Sequence, residues 1–229
     1  MSTAAPQRPT QATPLRQPIA SETFSQVYSL AQRLQAMLPH ERSGGRVVGV
    51  TSCSRQEGVS VVAANLALCA ADVYSGRVLL IDANPRHASV ASRFQVKPSP
   101  GLIDCVTGQS AVQECVRSTS HQNLFVLPAG SPAKIAGRFS EERTCSSLGQ
   151  LRNDFDLIVI DCPPAGELDE TLLVSQVADG FLLVLEAERI RKQVAQRVKQ
   201  RLEQGNAKLL GVVLNKRKNH IPEWLYRRL

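Results

Sequence analysis

Long hydrophobic runs are missing from this sequence: Phe181 to Leu185 and Leu157 to Ile160 are far shorter than the ~20 apolar residues of a bilayer-crossing helix. No membrane span is expected. The opening Met-Ser-Thr-Ala-Ala-Pro-Gln-Arg-Pro-Thr lacks the apolar core of a secretory signal, so a cytoplasmic location is expected. Aromatic side chains make up only 4% of the chain, too few for a base-stacking platform that tracks single-stranded nucleic acid. None of the six cysteines (Cys53, Cys69, Cys105, Cys115, Cys145, Cys162) belongs to a C-x-x-C pair, which argues against a zinc site or disulfide framework and for reduced thiols. The four histidines are too dispersed for a metal site or a triad.

What is present is enough for one core. At 229 residues and 43% hydrophobic composition, a single domain with tails is expected. The 27 basic side chains exceed the 20 acidic ones, for a net charge of +7, an excess suited to an anionic partner such as a lipid surface or an acidic segment. Much of it lies between Arg189 and Arg201 and in the tail, at Lys216, Arg217, Lys218, Arg227 and Arg228. A solvated helix face and a basic tail account for this charge without a nucleic-acid role.

Residues 1–20, rich in Pro, Gln, Thr and Ala, cannot offset the entropy of ordering and read as a flexible tail. From Ser21, a plausible N-cap, Phe24, Val27, Leu30, Leu34 and Leu38 recur at helical spacing, so residues 21–40 form an N-terminal helical segment. His40-Glu-Arg-Ser-Gly-Gly45 breaks it. Residues 46–215 then alternate short β-rich runs with helical stretches, and residues 216–229 form a basic tail. Strands are expected at Val47–Thr51, Arg77–Asp82, Leu124–Leu127, Leu157–Asp161, Gly180–Leu185 and Leu209–Leu214. Helices are expected at Val59–Ala71, Ala111–Val116, Ser140–Arg152, Leu168–Ala178 and Arg189–Gln204. Right-handed crossovers turn this order into an α/β fold, a doubly wound, mostly parallel sheet flanked by helices. Ligands of such sheets bind at the carboxyl ends of the strands, so the loops after Thr51, Asp82, Asp161 and Leu214 are where function is sought.

After the first strand comes Thr51-Ser-Cys-Ser-Arg-Gln-Glu-Gly-Val-Ser60. A phosphate-binding loop needs small residues so that backbone N–H groups can wrap phosphate, a lysine for the β and γ phosphates, and a Ser or Thr for magnesium. Gly58 and Ser60 fit; Val59 stands where the lysine belongs and neither carries charge nor donates a hydrogen bond. Gln56 occupies a position where glycine is usual, and its Cβ restricts the turn. By itself this stretch also reads as an ordinary strand-turn-helix corner. Two apolar strands ending in aspartate, Val78-Leu-Leu-Ile-Asp82 and Leu157-Ile-Val-Ile-Asp161, follow in the order of a magnesium-nucleotide constellation.

Together these stretches resemble the cytoplasmic ATPase domain of the bacterial tyrosine autokinases (BY-kinases) of capsule and exopolysaccharide assembly, relatives of the MinD/ParA-type P-loop ATPases. The resemblance extends over about residues 21–215 and includes Val78 to Arg86, Pro98 to Asp104, Asn123 to Gly130, Phe155 to Pro164, Ala178 to Val184 and Leu210 to Asn215. It implies ATP or ADP with magnesium as cofactors. Asp82 would polarise the attacking group or hold metal-bound water, Ser60 would bind the metal, and Asp161 would hold it through water. Gly58, Val59, Ser60 and Val61 would line the phosphates, and Asn215 would meet the adenine edge. The sequence departs from the family at Val59, at Gln56, at Asn84 in place of a second aspartate, and in the ring-forming motif, which reads Glu22, Ser25 and Tyr28. The family's terminal tyrosine cluster is reduced to Tyr226, the candidate phosphoacceptor.

Phosphoryl transfer depends on positioning and charge stabilisation, so the loss of the lysine leads to an expectation of slow or absent catalysis. Arg55, four residues before Val59, is a candidate substitute cation. The expected function is a catalytically weak regulator of polysaccharide polymerisation and export, docked on the cytosolic segment of a membrane polysaccharide co-polymerase at the inner face of the membrane. An anionic membrane surface and a second copy of the chain are further expected partners. Two alternatives stay open: an active autokinase using Arg55 and Tyr226, and a ParA/MinD-type positioning protein acting through the basic region.

Overall fold

A computed structural model describes residues 21–38, 44–131, 141–165, 174, 176–205 and 207–217. Its centre is a seven-stranded sheet of order β3-β4-β2-β5-β1-β6-β7. In chain order the strands are β1 (Arg46–Ser52), β2 (Val78–Asp82), β3 (Arg117–Ser118), β4 (Leu124–Leu127), β5 (Leu157–Asp161), β6 (Gly180–Glu186) and β7 (Leu209–Asn215). All pairings are parallel except that of the short edge strand β3 with β4. The sequence gives no sign of β3, because two residues are too few to show a period of two. The other six strands lie within a residue or two of their expected bounds.

Burial on both faces follows from the side-chain alternation of a strand. In β5, Ile158 and Ile160 point into one apolar layer, whereas Leu157 and Val159 point into the other. The first layer is closed by α4 (Leu102–Val106), α5 (Val112–Cys115), α6 (Glu141–Asp154) and α7 (Lys192–Gln204). The second is closed by α1 (Ser21–Met37), α2 (Val59–Val73) and α3 (Val90–Phe94). Helix α2 lies directly on the sheet, so it is apolar nearly throughout: Ala63, Ala64, Leu66, Ala67 and Ala70 are wholly buried. Helix α1 packs outside α2 through Ala31, Leu34 and Leu38. Val27 and Leu30 pack only partly and Phe24 remains 41% exposed, so the apolar seam of α1 closes at one end only.

Several expectations need adjustment. Short helices α3 and α4 replace what reads as loop, and Arg189–Arg191 precede α7 instead of opening it. Most of the helix expected over Leu168–Ala178 lies outside the described residues, as do residues 1–20, Tyr226 and the basic residues from Lys218 onward. No described helix is long and apolar enough to cross a membrane.

At the base of the sheet, away from the strands' carboxyl ends, Arg152 of α6 meets Asp179 in front of β6. Its guanidinium donates to both Asp179 carboxylate oxygens at 3.0 and 3.1 Å, to the Gly45 carbonyl at 2.8 Å, and to the carbonyl of Val177. Asp179 in turn accepts the Val47 amide at 2.7 Å. This half-buried pair ties α6, β1 and β6 together.

Candidate nucleotide-binding site

The carboxyl ends of β1, β2 and β5 open into a cavity of about 480 Å³, within the size range of small-ligand sites. One wall is the loop Ser54–Val61, a second is the segment from Asn84 to Arg93, and Cys162 to Pro164 form a third side. Thr51 links two of these by donating its hydroxyl to the Pro163 carbonyl at 2.7 Å.

The loop is shaped by its own side chains. Glu57 is fully buried, and its Oε1 accepts both the amide of Ser54 at 2.5 Å and the Ser54 hydroxyl at 2.8 Å. Its Oε2 accepts the Glu186 amide at the end of β6, at 3.1 Å. From β7, Asn215 Nδ2 donates to the Glu57 carbonyl at 2.8 Å. Lys216 Nζ donates to the Gln56 carbonyl at 2.5 Å and pairs with Glu186 at 3.2 Å, and Glu186 also pairs with Arg189 at 2.8 Å.

These anchors over-determine a strained backbone. Gln56 adopts φ +66 and Gly58 φ +93, so the loop keeps its left-handed turn although a glycine is missing. The Cβ expected to restrict Gln56 has not straightened it. At Gly58 a Cβ would also lie 2.1 Å from Asn215 Nδ2, so a side chain there would displace the amide that holds the Glu57 carbonyl. Helix α2 begins immediately after it, so its first amides and the positive end of its dipole face the cavity, an arrangement that favours an anion.

Behind the loop, β2 and β5 run side by side with Asp82 and Asp161 as register partners. Both are buried. Asp82 Oδ1 accepts the Asn84 amide at 3.1 Å, and Oδ2 accepts the amides of Ser89 and Val90 at 2.9 and 3.1 Å. Burial raises its pKa while these three amides hold it back. Asp161 has no such backbone support: neither carboxylate oxygen meets a donor in good hydrogen-bond geometry, and the Ser60 hydroxyl only stands close by. Its pKa is pushed up to about 7, first by burial and then by the charge of Asp82, against the opposing influence of the nearby Ser60 hydroxyl and Arg93. A buried carboxylate without a well-aligned donor suits a cation or its bound water. The residues therefore fit magnesium: Ser60, Asp82 and Asp161 would hold it, and the ion would neutralise charge on bound phosphates.

The profile of the AAA domain family matches residues 56–209. Tyrosine-protein kinase CpsD of Streptococcus agalactiae is 30% identical over 173 residues, covering 75% of this chain and 74% of its own. The chain belongs to the bacterial tyrosine-kinase family. Another relative, the succinoglycan biosynthesis transport protein ExoP of Rhizobium meliloti, is 29% identical over 178 residues, which are 76% of this chain but 22% of ExoP. Among solved structures, the VpsO kinase domain superposes with a TM-score of 0.72 at 28% identity, over 86% of this chain and 96% of that one. The septum site-determining protein MinD of Pyrococcus horikoshii, complexed with Mg-ADP, shares the fold at a TM-score of 0.66 and 20% identity, over 80% of this chain and 76% of its own. The P-loop fold expected from the sequence is thus the fold of the tyrosine-kinase family.

Within this family member, Gly58, Val59, Ser60, Val61 and Arg55 line the cavity, and Asp82 and Asp161 are buried behind it. Asn215 stands behind the loop, bonded to Glu57 and not facing the cavity walls. Tyr226 lies outside the described residues. Sequence reasoning missed the loop anchors Glu57 and Lys216 and the cavity residue Arg93. A glutamate inside a loop meant for phosphate is the signal that could have revealed Glu57, because an acid tolerated there must be turned away from the anion. Nothing local marks Arg93, which reaches the site only because Asp82 draws the chain back.

Proposed function

We propose that this chain is a regulator of capsular or exopolysaccharide assembly that holds a magnesium nucleotide and transfers phosphate weakly or not at all. The observation that carries the reading is Val59: it opens α2 at the edge of a shaped phosphate loop, backed by paired aspartates, where a lysine would be needed. Asp82 would act on the attacking group in any residual reaction, while Asn215, bonded to the Glu57 carbonyl, holds the loop instead of meeting the adenine edge. Support for the polysaccharide role comes from the relatives, among them a transport protein of succinoglycan biosynthesis of which this chain matches only 22%. That proportion fits a cytosolic module that works beside a membrane co-polymerase segment at the inner face of a bacterial membrane. Basic residues along α7, including Arg197, Lys199 and Arg201, supply positive charge for an acidic segment or an anionic surface.

A second reading, an active autokinase, is favoured by one observation: Arg55 borders the cavity. Incubating the full chain with Mg-ATP and its co-polymerase segment, followed by phosphotyrosine detection, tests both. Phosphotyrosine at the rate of an intact family kinase overturns the weak-regulator reading. Its loss on Arg55→Ala would then support the autokinase.

A further inference from the structure

The second wall of the cavity carries charge that the loop lacks. Asp82 receives the amides of Ser89 and Val90 on one carboxylate oxygen, and so fixes the start of α3 against the end of β2. One turn on, the Arg93 amide bonds back to the Ser89 carbonyl at 3.1 Å, which sets Arg93 on the cavity side of α3. Its guanidinium borders the cavity, is exposed, and makes no hydrogen bond or ion pair with any described residue. Its charge reaches Asp161, which lies beside the Ser60 hydroxyl at the end of the site that would take the metal. Arg55 instead belongs to the loop tip.

We propose that Arg93 supplies, from α3, the cation for the terminal phosphate of a bound nucleoside triphosphate that Val59 cannot supply. A guanidinium can take two phosphate oxygens at once, which a lysine cannot. It would approach from the wall opposite the loop, and so distinguish a triphosphate from a diphosphate. The Asp82 hydrogen bonds give this wall a link to the nucleotide: the carboxylate at the metal site is also the anchor of the helix that bears the arginine. This inference rests on the nucleotide reading above and deepens it.

The test is calorimetric titration of the full chain and of Arg93→Gln with Mg-ATP and Mg-ADP, accompanied by thermal unfolding. The unmodified chain should prefer Mg-ATP, and Arg93→Gln should weaken Mg-ATP binding about 10-fold to 150-fold while leaving Mg-ADP binding and the unfolding midpoint in place. Arg93→Lys should recover part of the loss, and Val59→Lys combined with Arg93→Gln should restore the ATP preference. If Mg-ADP and Mg-ATP bind but Arg93→Gln leaves their ratio unchanged, the inference about Arg93 is wrong and the nucleotide reading stands. If neither nucleotide binds the unmodified chain, both fall.

Discussion

At the scale of single residues, chemistry is decided by one side chain present and one absent. Val59 sits where a charge-assisted contact to phosphate is expected, and such a contact is worth roughly 1.5–3 kcal/mol. Replacing it by lysine should therefore tighten Mg-ATP binding by about one to two orders of magnitude, measured by calorimetry. Asp161 makes a prediction about pH. Because its pKa in the fold is raised to about 7, above that of an unfolded aspartate, the native state holds more protons between these two values. Stability from this group is present at low pH and is lost as pH rises toward about 7. Asp161→Asn should thus raise the unfolding midpoint at pH 8 without magnesium or nucleotide and have little effect at pH 4. Thermal scans across that range check the sign, and an equal shift at both pH values would contradict it.

At the scale of elements, the loop shows what a linear pattern conveys and what it hides. Gly58, Ser60 and the two strand-end aspartates were legible because small residues and acids at strand termini have few other uses in that order. Glu57 and Lys216 were not, because their roles depend on β6 and β7 lying against a loop more than a hundred residues earlier in the chain. Asn84 and Arg93 belong to a segment that the carboxylate of Asp82 reels in, an interaction with no periodicity to betray it. Glu57→Ala should leave the half-buried amides of Glu186 and Ser54 without acceptors, at about 1–3 kcal/mol for each group left unpaired. Denaturant unfolding would show the loss, and titration would show weakened nucleotide binding because Gln56 would no longer be held at positive φ. Unchanged binding in Glu57→Ala would mean that the loop holds its shape without its anchors.

At the scale of the whole molecule, the sheet was readable from hydrophobic runs because its central strands are buried on both faces and leave an uninterrupted apolar signature. The edges were less so: β3 is too short to register, and α3 and α4 are single turns inside a connection. The ion pair of Arg152 with Asp179 lies at the opposite end of the sheet from the cavity and should matter to folding alone. Arg152→Ala should cost about 1.5–3 kcal/mol, lowering the unfolding midpoint by roughly 3–12 °C, with nucleotide affinity in the folded protein unaltered. The proposed function requires a pocket that holds magnesium nucleotide but transfers its phosphate slowly for want of the lysine. Single-turnover incubation with radiolabelled Mg-ATP, comparing the unmodified chain with Val59→Lys, measures both properties together. Retained ATP with little labelled tyrosine or free phosphate, and faster transfer in Val59→Lys, is the predicted result; rapid transfer by the unmodified chain that Val59→Lys does not increase would contradict it.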